Sequence, residues 1–372
     1  MLYLDNSATT QIHPTVKDAM LPYLLEEFGN PSSKYYSYAE NAKNAVKEAR
    51  KSLASLLHCD DSELIFTSGS TESNNMVLKG VADNYISKGN HIITTKVEHP
   101  SVIETCKYLE SKGYEVTYLD VDKYGRINIE KLESSIKDTT ILVSVIWGNN
   151  ELGSLNDIET ISRICLENDV FLHSDATQVI GKVEVDLSNL PGLTFLSCSG
   201  HKFHGPKGIG ATFIRKDRYE ILTKITPLLH GGGQEQGIRS GTLAVHNIVG
   251  FGKAAEIANM NLDENIKKLE DLESYLTAIL VEKFGDQIIL NNDKTNKIPG
   301  IVSVQFKGLN NEILVKSLAP VIAASTGSAC SSSKPSHVLA AIGLSIDEVR
   351  STIRFSMSSF IEKEDLEIFK EL

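Results

Sequence analysis

The sequence predicts an α/β fold, a large domain with a mainly parallel sheet joined to a smaller α+β domain. Three observations carry that expectation. From about residue 63 to 215, short apolar runs alternate with amphipathic stretches, the texture of repeated strand–helix–strand units. After residue 256 this gives way to one long charged stretch followed by isolated strand-like runs. The length of 372 residues allows two or three domains, and 41% hydrophobic with 23% charged residues describes a folded globular chain, not a disordered one.

In chain order, the strand candidates of the first part are ELIFTSG (63–69), HIITTKV (91–97), EVTYLD (115–120), TILVSVIW (140–147), VFLHSDA (170–176) and LTFLSC (193–198). Helices fall between them. Within 40–57, Val46, Ala49, Leu53 and Leu56 recur at helical spacing, and Pro100 suits the first turn of a helix that starts behind Glu98 and His99. The second part opens on a charged helix over about 262–284 and continues through GIVSVQFKG (300–308), PVIAAS (320–325) and STIRFSM (351–357). The expected division is 13–256 for the large domain and 1–12 with 257–372 for the small one. HGGGQEQGIRSGT (230–242) and STGSACSSSKPS (325–336) lie between structured elements and read as functional loops, not linkers.

Charge and cysteine usage exclude several classes. With 37 Lys+Arg against 48 Asp+Glu the net charge is −11, which opposes a general grip on nucleic acid or anionic lipid; an anionic ligand must be held by local groups. No apolar run approaches ~18 residues, so no membrane span is expected. MLYLDNSATT has neither a basic flank nor an apolar signal core, and the expected location is cytoplasmic. The five cysteines (Cys59, Cys106, Cys165, Cys198, Cys330) form an odd set without CxxC or paired Cys/His spacing. That argues against a disulfide framework and a structural zinc site, and no metal site is expected.

Three segments carry chemistry. SCSGHKFHGPKGIG (197–210) follows a strand and sets Lys202 among glycines and histidines; it is not a Walker A loop, because Pro206-Lys207 follow GxxxxG. Taken alone, Lys202 reads first as a solvent-facing lysine in a flexible turn, and its company is what changes that reading. TSGSTESNN (67–75) follows a strand and opens a helix, so Ser70, Thr71 and the first N–H groups can hold a phosphate, or simply form a cap with Glu72 behind it. Asp175 ends VFLHSDA, where the carboxyl end of a strand faces the ligand crevice; helix capping is its other reading. A phosphate cradle, a glycine-flanked lysine and a strand-end carboxylate together specify pyridoxal phosphate. His99, at another strand end, is placed to stack on its ring, with a purely structural histidine as the alternative. Cys330 sits in a Ser/Gly-rich loop, as a nucleophile that visits a second site would, whereas the other four cysteines fall in or beside regular elements.

With these residues in view, nearly the whole chain resembles the class V aminotransferase-like cysteine desulfurases of the NifS/IscS type. The matching strings are YLDNSATT (3–10), FGNPSS (28–33), TSGSTESNN (67–75), VEHPSV (97–102), NNELG (149–153), HSDATQ (173–178), SGHKFHGPKGIG (199–210), HGGGQEQGIRSGT (230–242), STGSACSS (325–332) and STIRFSM (351–357). The resemblance implies a homodimeric, pyridoxal-phosphate-dependent transferase of fold type I. Such an enzyme takes sulfur from L-cysteine, releases L-alanine and passes a persulfide to an acceptor protein for iron–sulfur cluster, thio-cofactor or thio-nucleoside synthesis. It further implies Lys202 as the Schiff-base lysine, Cys330 as the persulfide cysteine, His99 on the ring, Asp175 at the ring nitrogen and Gln178 at the ring hydroxyl. Phosphate would fall to Ser70, Thr71, Ser199 and His201, with Thr242 from the other subunit; Asn150 and Arg354 would hold the substrate carboxylate. Only four residues, SSSK, separate Cys330 from Pro335, a short loop for this group, and the acceptor stays open. Selenocysteine lyase, cystine β-lyase, a rhodanese-type sulfurtransferase and an inactive scaffold are the competing readings.

Overall fold

The computed structural model describes residues 1–327 and 335–371. Twelve strands are formed among them: β1 (Leu2–Tyr3), β2 (Leu64–Thr67), β3 (His91–Thr95), β4 (Glu115–Leu119), β5 (Thr140–Ser144), β6 (Phe171–Asp175), β7 (Leu193–Ser199), β8 (Gly210–Ile214), β9 (Ile288–Leu290), β10 (Ile301–Phe306), β11 (Ile322–Ala323) and β12 (Thr352–Ser356). A seven-stranded sheet takes the order β2-β8-β7-β6-β5-β3-β4. Strands β7 to β4 in that order are parallel, and β8 runs antiparallel to both β7 and β2. β5 is buried at every position, which is why TILVS reads as a run instead of an alternation: helices cover both faces.

Those helices are α1 (Pro14–Leu25), α2 (Ser37–Leu57), α3 (Ser70–Tyr85), α4 (Pro100–Glu110), α5 (Ile129–Ser135), α6 (Ile158–Glu167), α7 (Val245–Met260) and α8 (Leu262–Phe284). One face packs Leu64 and Phe66 with Leu53 and Leu57 of α2 and Phe251 and Ala255 of α7. The opposite face packs Ile65, between those two on β2, with Val77 and Val81 of α3 and Val102 and Cys106 of α4. The two-residue alternation of β2 thus divides its side chains between two helical layers.

A second, antiparallel sheet has the order β12-β10-β9. Its core takes Leu269, Leu272, Leu276 and Leu280, the apolar stripe of α8, together with Val302, Val304, Ile353 and Phe355. The charged stretch at 262–284 folds as the helix its spacing predicts. PVIAAS, expected as a strand over 320–325, contributes only Ile322–Ala323, paired in parallel with Leu2–Tyr3. ELIFTSG also stops short, because Gly69 adopts φ 146, outside the extended region, and caps α3.

The sheet order fixes where a site can form. From β3 the chain leaves toward β4 on one side, and from β5 it proceeds toward β6 and β7 on the other, so a switch point lies between β3 and β5. A crevice outside the carboxyl ends of the strands is expected at such a point.

Candidate active site

A cavity of about 210 Å³ occupies this position. It is lined by the residues that follow each strand: Ser70 and Thr71 after β2, His99 after β3, Asn150 after β5, Asp175 and Gln178 at the end of β6, and His201 and Lys202 after β7. Arg354 enters from β12, and Ser7 and Ala8 from the segment behind β1.

Lys202 Nζ donates to the carbonyls of Ser7 (2.6 Å) and Ala8 (2.8 Å), so the N-terminal segment holds the lysine at the cavity wall. Asp175 lines the cavity and is 3% exposed. Its Oδ1 caps the following turn by accepting from Thr177 N at 3.0 Å, and Oδ2 accepts from Asn74 Nδ2 at 2.7 Å. Gln178 donates through Nε2 to Ser7 O (2.8 Å), while its Oε1 accepts from Lys182 Nζ (2.9 Å). Burial, with Lys202 and Arg354 nearby, pushes the Lys182 ammonium down to about 7. Arg354 is 2% exposed and donates to Asn150 O (2.8 Å) and Asp5 Oδ1 (2.7 Å).

Burial disfavours the charged form of His99 and His201. His99 caps α4 through Nδ1, and burial keeps it below the usual imidazole value; Asp175 opposes the shift, Lys202 and His337 add to it. His201 shares a hydrogen bond of 3.1 Å with Thr9 Oγ1, and burial with Lys202, Lys207 and Lys182 brings it down to about 4.

The turn that carries Ser70 and Thr71 is packed to the limit. A Cβ on Gly210 would lie 2.4 Å from Cys198 O and 2.7 Å from Gly69 Cα, both backbone atoms that cannot swing aside. Gly210→Ala is therefore expected to lower stability by about 1–3 kcal/mol and to weaken cofactor binding, measurable by denaturant unfolding and by cofactor titration. Glu72, one residue on, accepts from Ser68 N (2.7 Å) and from Arg239 Nε (2.8 Å). Burial pushes its carboxyl up, but these bonds outweigh it and hold the group below its ordinary value.

Two expected residues lie outside the cavity. Ser199 is buried beside the turn, its Oγ 3.6 Å from where a Gly69 Cβ would sit. Thr242 is exposed and does not line its own chain's cavity. Cys330 falls outside the described residues.

Several lining residues have no counterpart among the expected ones. Glu151 accepts from Ser336 Oγ at 2.6 Å, and burial pushes its carboxyl up. His337 Nε2 donates to Glu98 O at 2.9 Å. Ser7 and Ala8, with Asp5 behind them, had a signal in the string YLDNSATT, but nothing in its spacing shows that it meets β12 and the lysine loop.

The cavity residues fit pyridoxal phosphate. Ser7 Oγ, Thr177 Oγ1 and Arg354 Nε are buried without a hydrogen-bond partner among the described residues, and all three belong to lining residues. Each such orphan costs about 1–3 kcal/mol unless a ligand satisfies it. An anionic, oxygen-rich ligand does so, and it meets local positive charge from Lys202, Arg354 and the amino end of α3 in a chain of net charge −11.

Residues 2–369 match the family model described as aminotransferase class-V. The cysteine desulfurase IscS of Dictyoglomus turgidum is 43% identical over 368 residues, covering 98% of this chain and 91% of the relative. The cysteine desulfurase IscS of Ruthia magnifica is 44% identical over 362 residues, with coverages of 96% and 88%. Among solved structures, a NifS-like protein superposes with a TM-score of 0.92 at 37% identity, covering 100% of this chain and 97% of its own. SspA in complex with cysteine superposes with a TM-score of 0.85 at 36% identity, with coverages of 96% and 99%.

Proposed function

The chain belongs to the aminotransferase class-V family, and from that premise we infer how its residues divide the work of a pyridoxal-phosphate-dependent cysteine desulfurase. The enzyme converts L-cysteine to L-alanine and passes the sulfur on. The observation that carries the division is the meeting of Asp175, Lys202, Arg354 and the α3 amino end on one cavity.

Bound pyridoxal phosphate supplies an electron sink for the charge that develops at the substrate α-carbon. Ser70, Thr71 and His201 would hold its phosphate from the cavity wall, with Ser199 buried behind the turn that carries Ser70; Asp175 would keep a proton on its ring nitrogen, Gln178 would meet its ring hydroxyl and His99 would cover its ring. Arg354 and Asn150 hold the substrate carboxylate, for which the guanidinium fork is suited. Lys202 would be the residue that holds the cofactor aldehyde, and its amine would take the substrate α-proton and later return it to the same carbon. Cys330, as thiolate, forms a bond to the substrate sulfur while the Cβ–S bond breaks; the electron pair stays with carbon, which takes up a proton at Cβ and, with the α-proton returned, becomes alanine. The product on the enzyme is a persulfide.

The same reading makes the enzyme a homodimer in which Thr242 of each chain completes its neighbour's phosphate site. The exposure of Thr242 supports it, as do Leu25, Phe28 and Tyr35, which are 70%, 73% and 99% exposed in the single chain. A fully active, cofactor-saturated monomer in sedimentation would overturn it. The division into 13–256 and 1–12 with 257–372 draws support from the β1–β11 pairing and from Leu4, which packs in the core of α8. The receiving protein is a sulfur acceptor in the cytosol, a compartment that suits the four described cysteines, all free thiols. The test is one turnover without reductant: alanine and enzyme-bound sulfur should appear in equal amounts. Pyruvate with free sulfide in place of alanine would make the enzyme a β-lyase.

A further inference from the structure

Two lining residues, Asp175 and His99, are joined behind the cavity wall by two that do not line it, Asn74 and Ser101. Asn74 is fully buried and donates through Nδ2 to both Asp175 Oδ2 (2.7 Å) and Ser101 Oγ (2.8 Å). The amide cannot be turned over, because its oxygen would then face a carboxylate oxygen; Asn74 Oδ1 is left without a partner among the described residues. Ser101 Oγ lies 2.8 Å from His99 Nδ1, and donates to it if that nitrogen carries no hydrogen. The Ser101 backbone N–H, a donor only, points at the same nitrogen from 3.2 Å. A nitrogen that receives such a donor carries no hydrogen of its own.

We propose that Asn74 and Ser101 are positioning residues that fix His99 as its neutral Nε2–H tautomer and tie that state to the Asp175 carboxylate. This rests on the reading of the cavity as the cofactor site. It accounts for how His99 can lie beside a carboxylate and stay uncharged: protonation at Nδ1 would break the bond from the Ser101 N–H and force the Ser101 hydroxyl to turn its hydrogen away. The charged and titratable groups that act on His99 are Asp175, which favours the imidazolium, and Lys202 and His337, which oppose it. The chain of bonds gives the enzyme a ring-covering histidine with a defined donor and makes its state depend on the residue that serves the cofactor nitrogen.

The test uses holoenzyme with ¹⁵N-labelled histidine, with the His99 signals assigned by loss in His99→Gln. Wild-type Nδ1 is expected to show the shift of a bare, hydrogen-bonded nitrogen and Nε2 that of an N–H. Ser101→Ala and Asn74→Leu each weaken donation to Nδ1, so the His99 titration should move to higher pH. The acid limb of the kcat profile should move the same way, and Ser101→Thr, which keeps the hydroxyl, should restore both. Should Asn74→Leu fail to fold, Ser101→Ala decides. A protonated Nδ1 in the wild type, or an unmoved His99 titration in Ser101→Ala, overturns the proposal. The expected tautomer in an enzyme that yields no alanine from cysteine would support this assignment while refuting the functional one.

Discussion

Lys202→Ala is expected to lower alanine formation by about 10⁴-fold or more, since one residue loses two roles, aldehyde binding and proton abstraction. The wild-type amine is aimed: two carbonyls of the N-terminal segment hold Nζ at the cavity wall. Among the described residues, no second lysine lines the cavity to replace it. Lys182, the buried lysine whose charge is felt at the same site, is bonded to Gln178 and lies behind the wall. Borohydride treatment of wild-type holoenzyme should place a pyridoxyl group on the peptide containing Lys202, and the variant should carry none. A label elsewhere in the wild type would remove Lys202 from its assigned place.

The second large effect is expected from Cys330→Ser, which should still bind cofactor and respond spectrally to cysteine yet release almost no alanine. The other cysteines cannot stand in. Burial pushes the Cys165 and Cys198 thiols up to about 12 and raises Cys59 and Cys106 as well. At about pH 8 a thiol with a pKa of about 12 is ionised in roughly one molecule in 10⁴, far too few to compete as a nucleophile. Intact-mass and peptide analysis after one turnover should find one added sulfur on the Cys330 peptide. Undiminished alanine from Cys330→Ser, or the sulfur on another cysteine, would sink the assignment.

Much of this was legible in the sequence because periodicity survives wherever an element is long. The stripe of α8 shows its period over several turns, and β3 and β5 show as unbroken buried runs. β8 did not: GATFI follows a glycine-rich loop directly and looks like its tail, although it runs antiparallel between β2 and β7. β1 and β9, of two and three residues, are too short to show any period. The site divides in the same way. Lys202, Asp175 and the α3 turn announce themselves by their place after a strand. Asn74, Ser101 and Lys182 do not, since each acts through a hydrogen bond to a residue distant in sequence or one helical turn away.

The pairing of Leu2–Tyr3 with Ile322–Ala323 also sets an order of events during synthesis. The segment that positions Lys202 leaves the ribosome well before the strand it pairs with. About 320 residues separate Leu2 from Ile322, which at roughly 5–20 residues per second is about 16 to 64 s of translation. The bonds that join Asn6 and Ser7 to Ser356 wait longer still. Through that interval the first strand lacks its partner, and residues 7–10 rest on their bonds to Gln178, His201 and His204. The site thus joins segments made far apart in time: a nascent chain arrested before β12 holds every strand of its seven-stranded sheet, yet without Arg354 it cannot close its site.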